Sequence, residues 1–371
     1  MIDYLKRYGI APFINAHDTI TLYGGSRISA ETREAMAQIS RCFVDMEALQ
    51  RVLGDHIAEA TGNEGAYLTN GAAGGIQLCA AVCLAGGSDY AYRSLPETQG
   101  RDTVVVLHGQ HNCYDKALEA AGARIRLVGD ADEVLPFDLE GSLDERAAAV
   151  LYCPALPFAR ASLPLGQVVE IAHRRGVPVI VDAAAQLPPV ENLWRYTRDA
   201  RADMAIFSGG KTLCGPQASG LIVGKRRYIE DCHRFGAPQH GICRVAKTSR
   251  EDMIGLCVAL DQYLSADQAA LTAALSARVD RILEAMSASP LYAPWRVEHG
   301  SVGQTYPRAF ARIAAPHTAR EVADAMRRRG IFIGIDAATG AVYLSPQNLT
   351  DEECETVCAA LAEVARELCA E

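Results

Sequence analysis

Between residues 66 and 223 short apolar runs alternate with stretches of helical periodicity, and this alternation limits the folds open to the chain. The runs are Ala66–Thr69, Thr103–Leu107, Arg124–Val128, Ala148–Tyr152, Val177–Asp182, Met204–Phe207 and Leu221–Val223. Helices are expected at Ile76–Ala85, Cys113–Ala121 and Gly166–Arg175. Strands separated by helices of about ten residues make βαβ units, hence an α/β fold with a mainly parallel, seven-stranded sheet covered on both faces. Ligands in such sheets sit at the strand C-terminal ends. Thr69–Gly75, His111, Asp182 and Ser208–Lys211 all fall at such ends.

The flanks read differently. Residues 1–45 look like an N-terminal arm, with an apolar piece at Pro12–Asn15 and a helix starting near Ser29. A helix over Met46–Gly62 ends at a glycine, as C-caps do. Residues 46–250 make the large domain. Residues 251–371 hold a long connecting helical stretch and a smaller α/β unit. Its strands are expected near Trp295–Glu298, Ala309–Ile313, Phe332–Ile335 and Ala341–Leu344, with helices at Thr318–Arg329 and Thr350–Leu368. A length of 371 residues suits one large and one small domain.

Composition excludes several classes. A net charge of −9 argues against a nucleic-acid footprint, which needs a basic face. No uncharged apolar segment is long enough to span a membrane, and Met1–Lys6 is not a secretory signal. The 12 cysteines contain no Cys-x-x-Cys, and the close pairs Cys79/Cys83 and Cys354/Cys358 stand at helical i,i+4 spacing. There cysteine acts as a small buried hydrophobe, so neither a metal nor a disulfide is expected, and the chain reads as reduced and cytoplasmic.

The chemistry is carried by a loop, Ser208-Gly-Gly-Lys-Thr-Leu-Cys-Gly-Pro216, between two strands. An amine that captures an aldehyde needs a small-residue, partly desolvated pocket that lowers its pKa, which Gly209, Gly210 and Gly215 would give Lys211. Asp182 ends the strand before it and would be a buried charge, costly without a cationic partner. A protonated pyridine ring is such a partner; capping of a helix from Ala183 is the alternative. Together these residues spell a pyridoxal phosphate (PLP) site. Asn70-Gly-Ala-Ala73, at a strand-to-helix turn, offers backbone N–H groups to a phosphate, or simply a tight turn. His111 could stack on a flat cofactor, with His108 as its rival, and Gln186 could hydrogen-bond the ring hydroxyl. Arg244 and Lys247 form a basic pair suited to a substrate anion or a phosphate, and Arg27 and Arg308 are candidates for gripping a carboxylate. For each of these four a solvated surface role is open as well.

The lysine loop resembles that of the bacterial selenocysteine synthases and of their shorter relatives, the D-glucosaminate-6-phosphate ammonia-lyases. Ile14-Asn-Ala16, Asp45-Met-Glu-Ala-Leu49, Val181-Asp-Ala-Ala-Ala-Gln-Leu-Pro-Pro189 and Arg244-Val-Ala-Lys247 are similar to the short relatives over residues 10–265. The resemblance implies a fold-type I PLP enzyme, a dimer or larger homo-oligomer with its active site at a subunit interface. Lys211 would be the Schiff-base lysine, Asp182 the pyridinium partner and His111 the stacking residue. Asn70, Gly71, Ala72, Ala73 and Ser208 would form the phosphate cup. The chain departs from the short relatives at His17 and Asp18, where they carry a small residue and glycine, so these two become candidate substrate-facing groups. The class V aminotransferases and desulfurases use an arginine late in the small domain, and Val342-Tyr-Leu-Ser345 has none. Selenocysteine synthases carry an extra N-terminal tRNA-binding domain, whereas this acidic sequence starts at the arm, so a tRNA substrate is not expected. The implied activity is a lyase, an α,β-elimination on a small amino acid or amino-sugar acid giving a 2-oxo acid and ammonia. An aldolase, racemase or aminotransferase would use the same lysine, and a non-catalytic PLP-fold binding protein is the remaining alternative.

Overall fold

A computed structural model describes residues 3–300 and 302–370. The chain divides into two compact units, Met1–Gly25 with Ala266–Gly300 and Thr305–Glu371, and Ser26–Ser265 with Ser301–Gln304. These limits differ from boundaries at 45/46 and 250/251. The arm splits at Gly25, and helix Arg250–Ser265 stays with the large unit because Met253, Leu256, Cys257 and Leu260 are buried in its core.

The large unit is built on a seven-stranded sheet. From one edge its strands are Gly65–Asn70, Ser219–Gly224, Met204–Ser208, Val179–Asp182, Ala147–Tyr152, Thr103–Leu107 and Arg124–Val128. The last five pair in parallel, while Ser219–Gly224 runs antiparallel to both its neighbours. All seven expected strands are present. Alternate residues feed two cores, as a doubly covered sheet requires. Val105, Val150, Val181, Ala205 and Leu221 face one core, which helices Met46–Thr61, Leu165–Arg174 and Arg250–Ser265 complete. Val104, Val106, Leu151, Ile180, Ile206 and Ile222 face the other, against helix Gly71–Ala85 and helix Arg226–Phe235. Cys79 and Cys83 lie in that second core.

The smaller unit holds a four-stranded antiparallel sheet and a parallel pairing of Ile14–Asn15 with Ile331–Phe332. Its core collects Val279, Val322, Met326, Leu344, Val357 and Leu361. The strand expected over Phe332–Ile335 is two short ones, Ile331–Phe332 and Gly334–Ile335, which belong to different sheets. Among the described residues, no helix is long and apolar enough to cross a membrane.

Candidate active site

The lysine loop is fixed by its own backbone. Gly209 N–H donates to the Ser219 carbonyl (2.9 Å), Gly215 N–H to the Gly209 carbonyl (2.8 Å), and Thr212 Oγ1 to the Leu187 carbonyl (2.7 Å). A side chain at Gly210 would place its Cβ 2.5 Å from Gln217 Cα, and one at Gly209 would overlap Ser219 Oγ. The glycines are there because two strands of loop touch, which holds Lys211, partly buried, at the end of strand Met204–Ser208. Ser26 N–H donates to the Gly210 carbonyl (3.0 Å), which brings exposed Arg27 next to this loop.

Asp182 ends the neighbouring strand, its backbone in register with Ile206. The side chain is buried, and Ala184 N–H donates to its Oδ1 (3.1 Å). No helix follows; residues 183–186 form a turn, so the carboxylate closes a local turn rather than capping a helix. Burial pushes its pKa up, opposed by the Ala184 N–H and by the charge of Lys211, while Asp115 pushes the same way as burial. A buried acid near an amine, short of donors, is a place where a cation would be stabilised.

Asp115 and Cys153 join this group, and sequence reasoning missed both. Asp115 is buried and pairs with Nδ1 of His111 at 2.7 Å, so the ring of His111 is held by an acid one helical turn on. The helix expected over Cys113–Ala121 is a 3-10 turn, Cys113–Asp115, followed by a short helix, Lys116–Ala120; an Asn112–Asp115 capping box closes the start. Cys153 follows strand Ala147–Tyr152, and its N–H donates to Gln110 Oε1 (2.7 Å). Burial pushes its thiol up to about 12; Asp182 and Asp115 act in the same direction and Lys211 opposes. Cys153 therefore sits within electrostatic reach of all three.

Helix Gly71–Ala85 begins five residues before the point expected, and it brings the anion-binding candidate to the same end of the sheet. Gly71 has φ +64, and Asn70 offers no side-chain cap, so the amides of the first turn are not consumed by their own N-cap. Gly71, Ala72 and Gly74 are half-buried and Ala73 exposed. Close packing is needed here: a Cβ at Gly220, whose backbone pairs with Thr69 and Ser208, would lie 2.5 Å from the Gly71 carbonyl carbon. The basic segment lies against this helix end. Asn70 Nδ2 donates to the Lys247 carbonyl (3.2 Å), and Ala246 would sit 3.2 Å from a Cβ at Gly74. Arg244 is half-buried in the 3-10 turn Ile242–Ala246, and Lys247 is exposed. Uncapped amides and small residues, beside a segment that carries Arg244 and Lys247, fit a phosphate. With buried Asp182 and Lys211 at adjacent strand ends, the large unit fits the phosphate and the ring of PLP.

Gln186 is anchored through its side-chain amide. Its Nε2 donates one of its two hydrogens to the Val302 carbonyl (2.8 Å), leaving the second N–H and Oε1 for further partners. The other three candidates meet in the smaller unit. Asp18 Oδ2 accepts from Arg308 Nη2 (2.9 Å) and Nε (3.3 Å), with side chains 14% and 3% exposed. Arg308 also stacks on Tyr306 at 4.4 Å. His17 shares a hydrogen bond with Tyr343 Oη, 3.2 Å from Nδ1, and burial pushes its pKa down against the pull of Asp18. Arg308 thus already holds a carboxylate, that of Asp18, 290 residues away.

Such a large unit, with this loop and acid, is the architecture of the fold-type I PLP enzymes, and an aminotransferase class V model matches residues 89–246. The solved structure of D-glucosaminate-6-phosphate ammonia-lyase superposes with a TM-score of 0.84 at 28% identity, covering 100% of both chains. In sequence, D-glucosaminate-6-phosphate ammonia lyase from Salmonella typhimurium is 30% identical over 373 residues, 97% of each chain. A 5'-C-glycyluridine monooxygenase-decarboxylase from a Streptomyces species is 32% identical over 292 residues, 75% of this chain and 71% of its own. Bacterial L-seryl-tRNA(Sec) selenium transferases match more weakly, as the resemblance of the lysine loop implied. The chain belongs to the D-glucosaminate-6-phosphate ammonia-lyase family, and it is a PLP-dependent enzyme of the lyase type.

Proposed function

We propose that the chain removes ammonia from an amino-sugar acid by α,β-elimination, leaving a 2-oxo acid. The observation that carries this is the grouping of Lys211 with buried Asp182 beside an uncapped helix end flanked by Arg244 and Lys247. PLP, when bound, supplies an electron sink for charge that develops at the substrate α-carbon. Lys211 would hold its aldehyde carbon, Asp182 its ring nitrogen, the amides of Gly71–Ala73 and Ser208 its phosphate, and His111, braced by Asp115, one ring face. Asp182, destabilised as an anion by burial, is itself stabilised by holding a proton opposite it on the ring. The amine of Lys211 would take the α-proton. The β-hydroxyl leaves as water, and hydrolysis then returns one water and frees ammonia, so the net reaction is 2-amino-3-hydroxy acid to 2-oxo-3-deoxy acid plus ammonia. An amino-sugar acid is favoured by the similarity to the ammonia-lyase from Salmonella typhimurium. Arg244 and Lys247 suit a substrate phosphate where they are not needed by the cofactor.

The test is to incubate purified PLP-loaded protein with D-glucosaminate 6-phosphate, D-glucosaminate and simple 3-hydroxy amino acids, following ammonia and 2-oxo acid together. Equal release from an amino-sugar acid supports the reading, and no release from any substrate overturns it. A second reading comes from the monooxygenase-decarboxylase relative. Oxygen uptake with carbon dioxide release in the same mixture would establish that chemistry instead. A homo-oligomer is part of the proposal: Phe43 is 100% and Val245 82% exposed, both apolar and both in the large unit. Sedimentation equilibrium giving a monomer would contradict it. Twelve cysteines, none in a disulfide among the described residues, suit the reducing cytoplasm.

A further inference from the structure

A second chemical grouping lies in the large unit, on two of the helices that cover the sheet. His56 is on helix Met46–Thr61, and Cys257 and Asp261 stand one turn apart on helix Arg250–Ser265. Their ligand atoms lie within 4.8 Å of one another, and His56 Nε2 is 2.8 Å from Asp261 Oδ1. The two outer side chains are 49% and 46% exposed, while Cys257 is buried beneath them. An ion can therefore enter from solvent and meet sulfur at the floor.

We propose that His56, Cys257 and Asp261 bind one zinc-type divalent cation, with water as the fourth ligand. Imidazole, thiolate and carboxylate are zinc's donors, and the nitrogen and sulfur select against magnesium and calcium. Metal–ligand bonds of about 2.0 Å to nitrogen and oxygen and about 2.3 Å to sulfur put tetrahedral neighbours about 3.3–3.5 Å apart. Opening the His56–Asp261 pair by about half an ångström and drawing the sulfur in by at most about 1.3 Å reaches that geometry. Binding forms a metal–sulfur bond and sends the thiol proton to solvent, with no change of oxidation state.

The ion would tie together two helices that start 204 residues apart, both anchored in one core. Helix Arg250–Ser265 also supports the lysine loop: a Cβ on Gly255 would lie 2.7 Å from Pro216 Cγ, and Leu256 packs against Gly209 and Gly215. A clamp on Cys257 thus holds the segment against which that loop rests.

The test uses the PLP-loaded full chain, stripped with a chelator and titrated with cobalt(II) as a spectroscopic stand-in for zinc. The proposal expects tetrahedral d–d bands and a thiolate-to-cobalt charge-transfer band that saturate at one ion per chain. Cys257→Ser should remove the charge-transfer band. The half-exposed His56→Gln, which leaves the core intact, should weaken zinc binding at least ten-fold, about 1.4 kcal/mol. Zinc should raise the melting temperature of wild type and not of His56→Gln. No charge-transfer band at saturation, a band that survives Cys257→Ser, or the same zinc response in His56→Gln would overturn it.

Discussion

Replacing Gly220 with alanine probes the proposed phosphate cup without touching a side chain assigned to chemistry. The position takes an ordinary φ, so only space opposes the change. The new Cβ would lie 2.5 Å from the Gly71 carbonyl carbon and 2.6 Å from its oxygen and from Thr69 Oγ1, where ordinary contact begins at 3.4 Å. Two of these neighbours are backbone, so the Asn70–Gly71 turn must retreat by about 0.9 Å. A shift of that size stretches an N–H···O bond from about 2.9 Å to about 3.8 Å, outside hydrogen-bond range. One bond to a charged group is worth about 1.5–3 kcal/mol, which is about 10- to 150-fold in affinity. The overpacking itself costs the fold about 1–3 kcal/mol, a loss a chain of this size survives. The assay is titration of cofactor-free protein with PLP, read by absorbance, with circular dichroism to check the fold. Gly141→Ala, where nothing lies within 4 Å of the new Cβ, is the control. A PLP Kd for Gly220→Ala within two-fold of wild type, with the fold intact, would refute the reasoning that this turn holds the phosphate.

Asp182→Asn should lower turnover at least a hundred-fold while raising the melting temperature of the cofactor-free protein at pH 7. The sign follows from burial: a folded-state pKa above the unfolded one means that the native protein holds this proton more tightly, so stability falls as pH rises from about 4 through the folded value. Calorimetry in which the advantage of Asp182→Asn over wild type is no larger at pH 7 than at pH 4 would contradict it. Asp115→Asn should lower kcat by about ten-fold, because the 2.7 Å bond that orients His111 is weakened; an unchanged kcat with an intact fold would make Asp115 purely structural. Asp18→Asn strands the buried guanidinium of Arg308 and should cost about 3–5 kcal/mol in denaturant unfolding, with Asp18→Asn combined with Arg308→Met recovering most of it.

Much of the large unit was legible because its strands are buried on both faces, and runs such as Thr103–Leu107 and Val177–Asp182 have no other use for so many β-branched residues. Lys211 and Asp182 stood out as candidates because glycines and a lone acid at strand ends are chemically unusual, and the structure puts both at adjacent strand ends. The start of helix Gly71–Ala85 was not legible: Gly71–Gly75 has no periodicity, and its helical state depends on packing against Ile206 and Gly220. Asp115 read as an ordinary polar residue, since its burial comes from the 3-10 turn and not from any sequence pattern. Arg308 read as a free arginine because its partner, Asp18, is supplied from the opposite end of the chain by tertiary folding. The His56–Cys257–Asp261 grouping has no spacing signature for the same reason.

The most direct measurement of the central claim is to treat the PLP-loaded protein with borohydride, which makes the link between the cofactor aldehyde and its amine permanent, and to map the adduct by peptide mass spectrometry. A single phosphopyridoxyl group on Lys211 is the result predicted. An adduct on another lysine, or none, would contradict it.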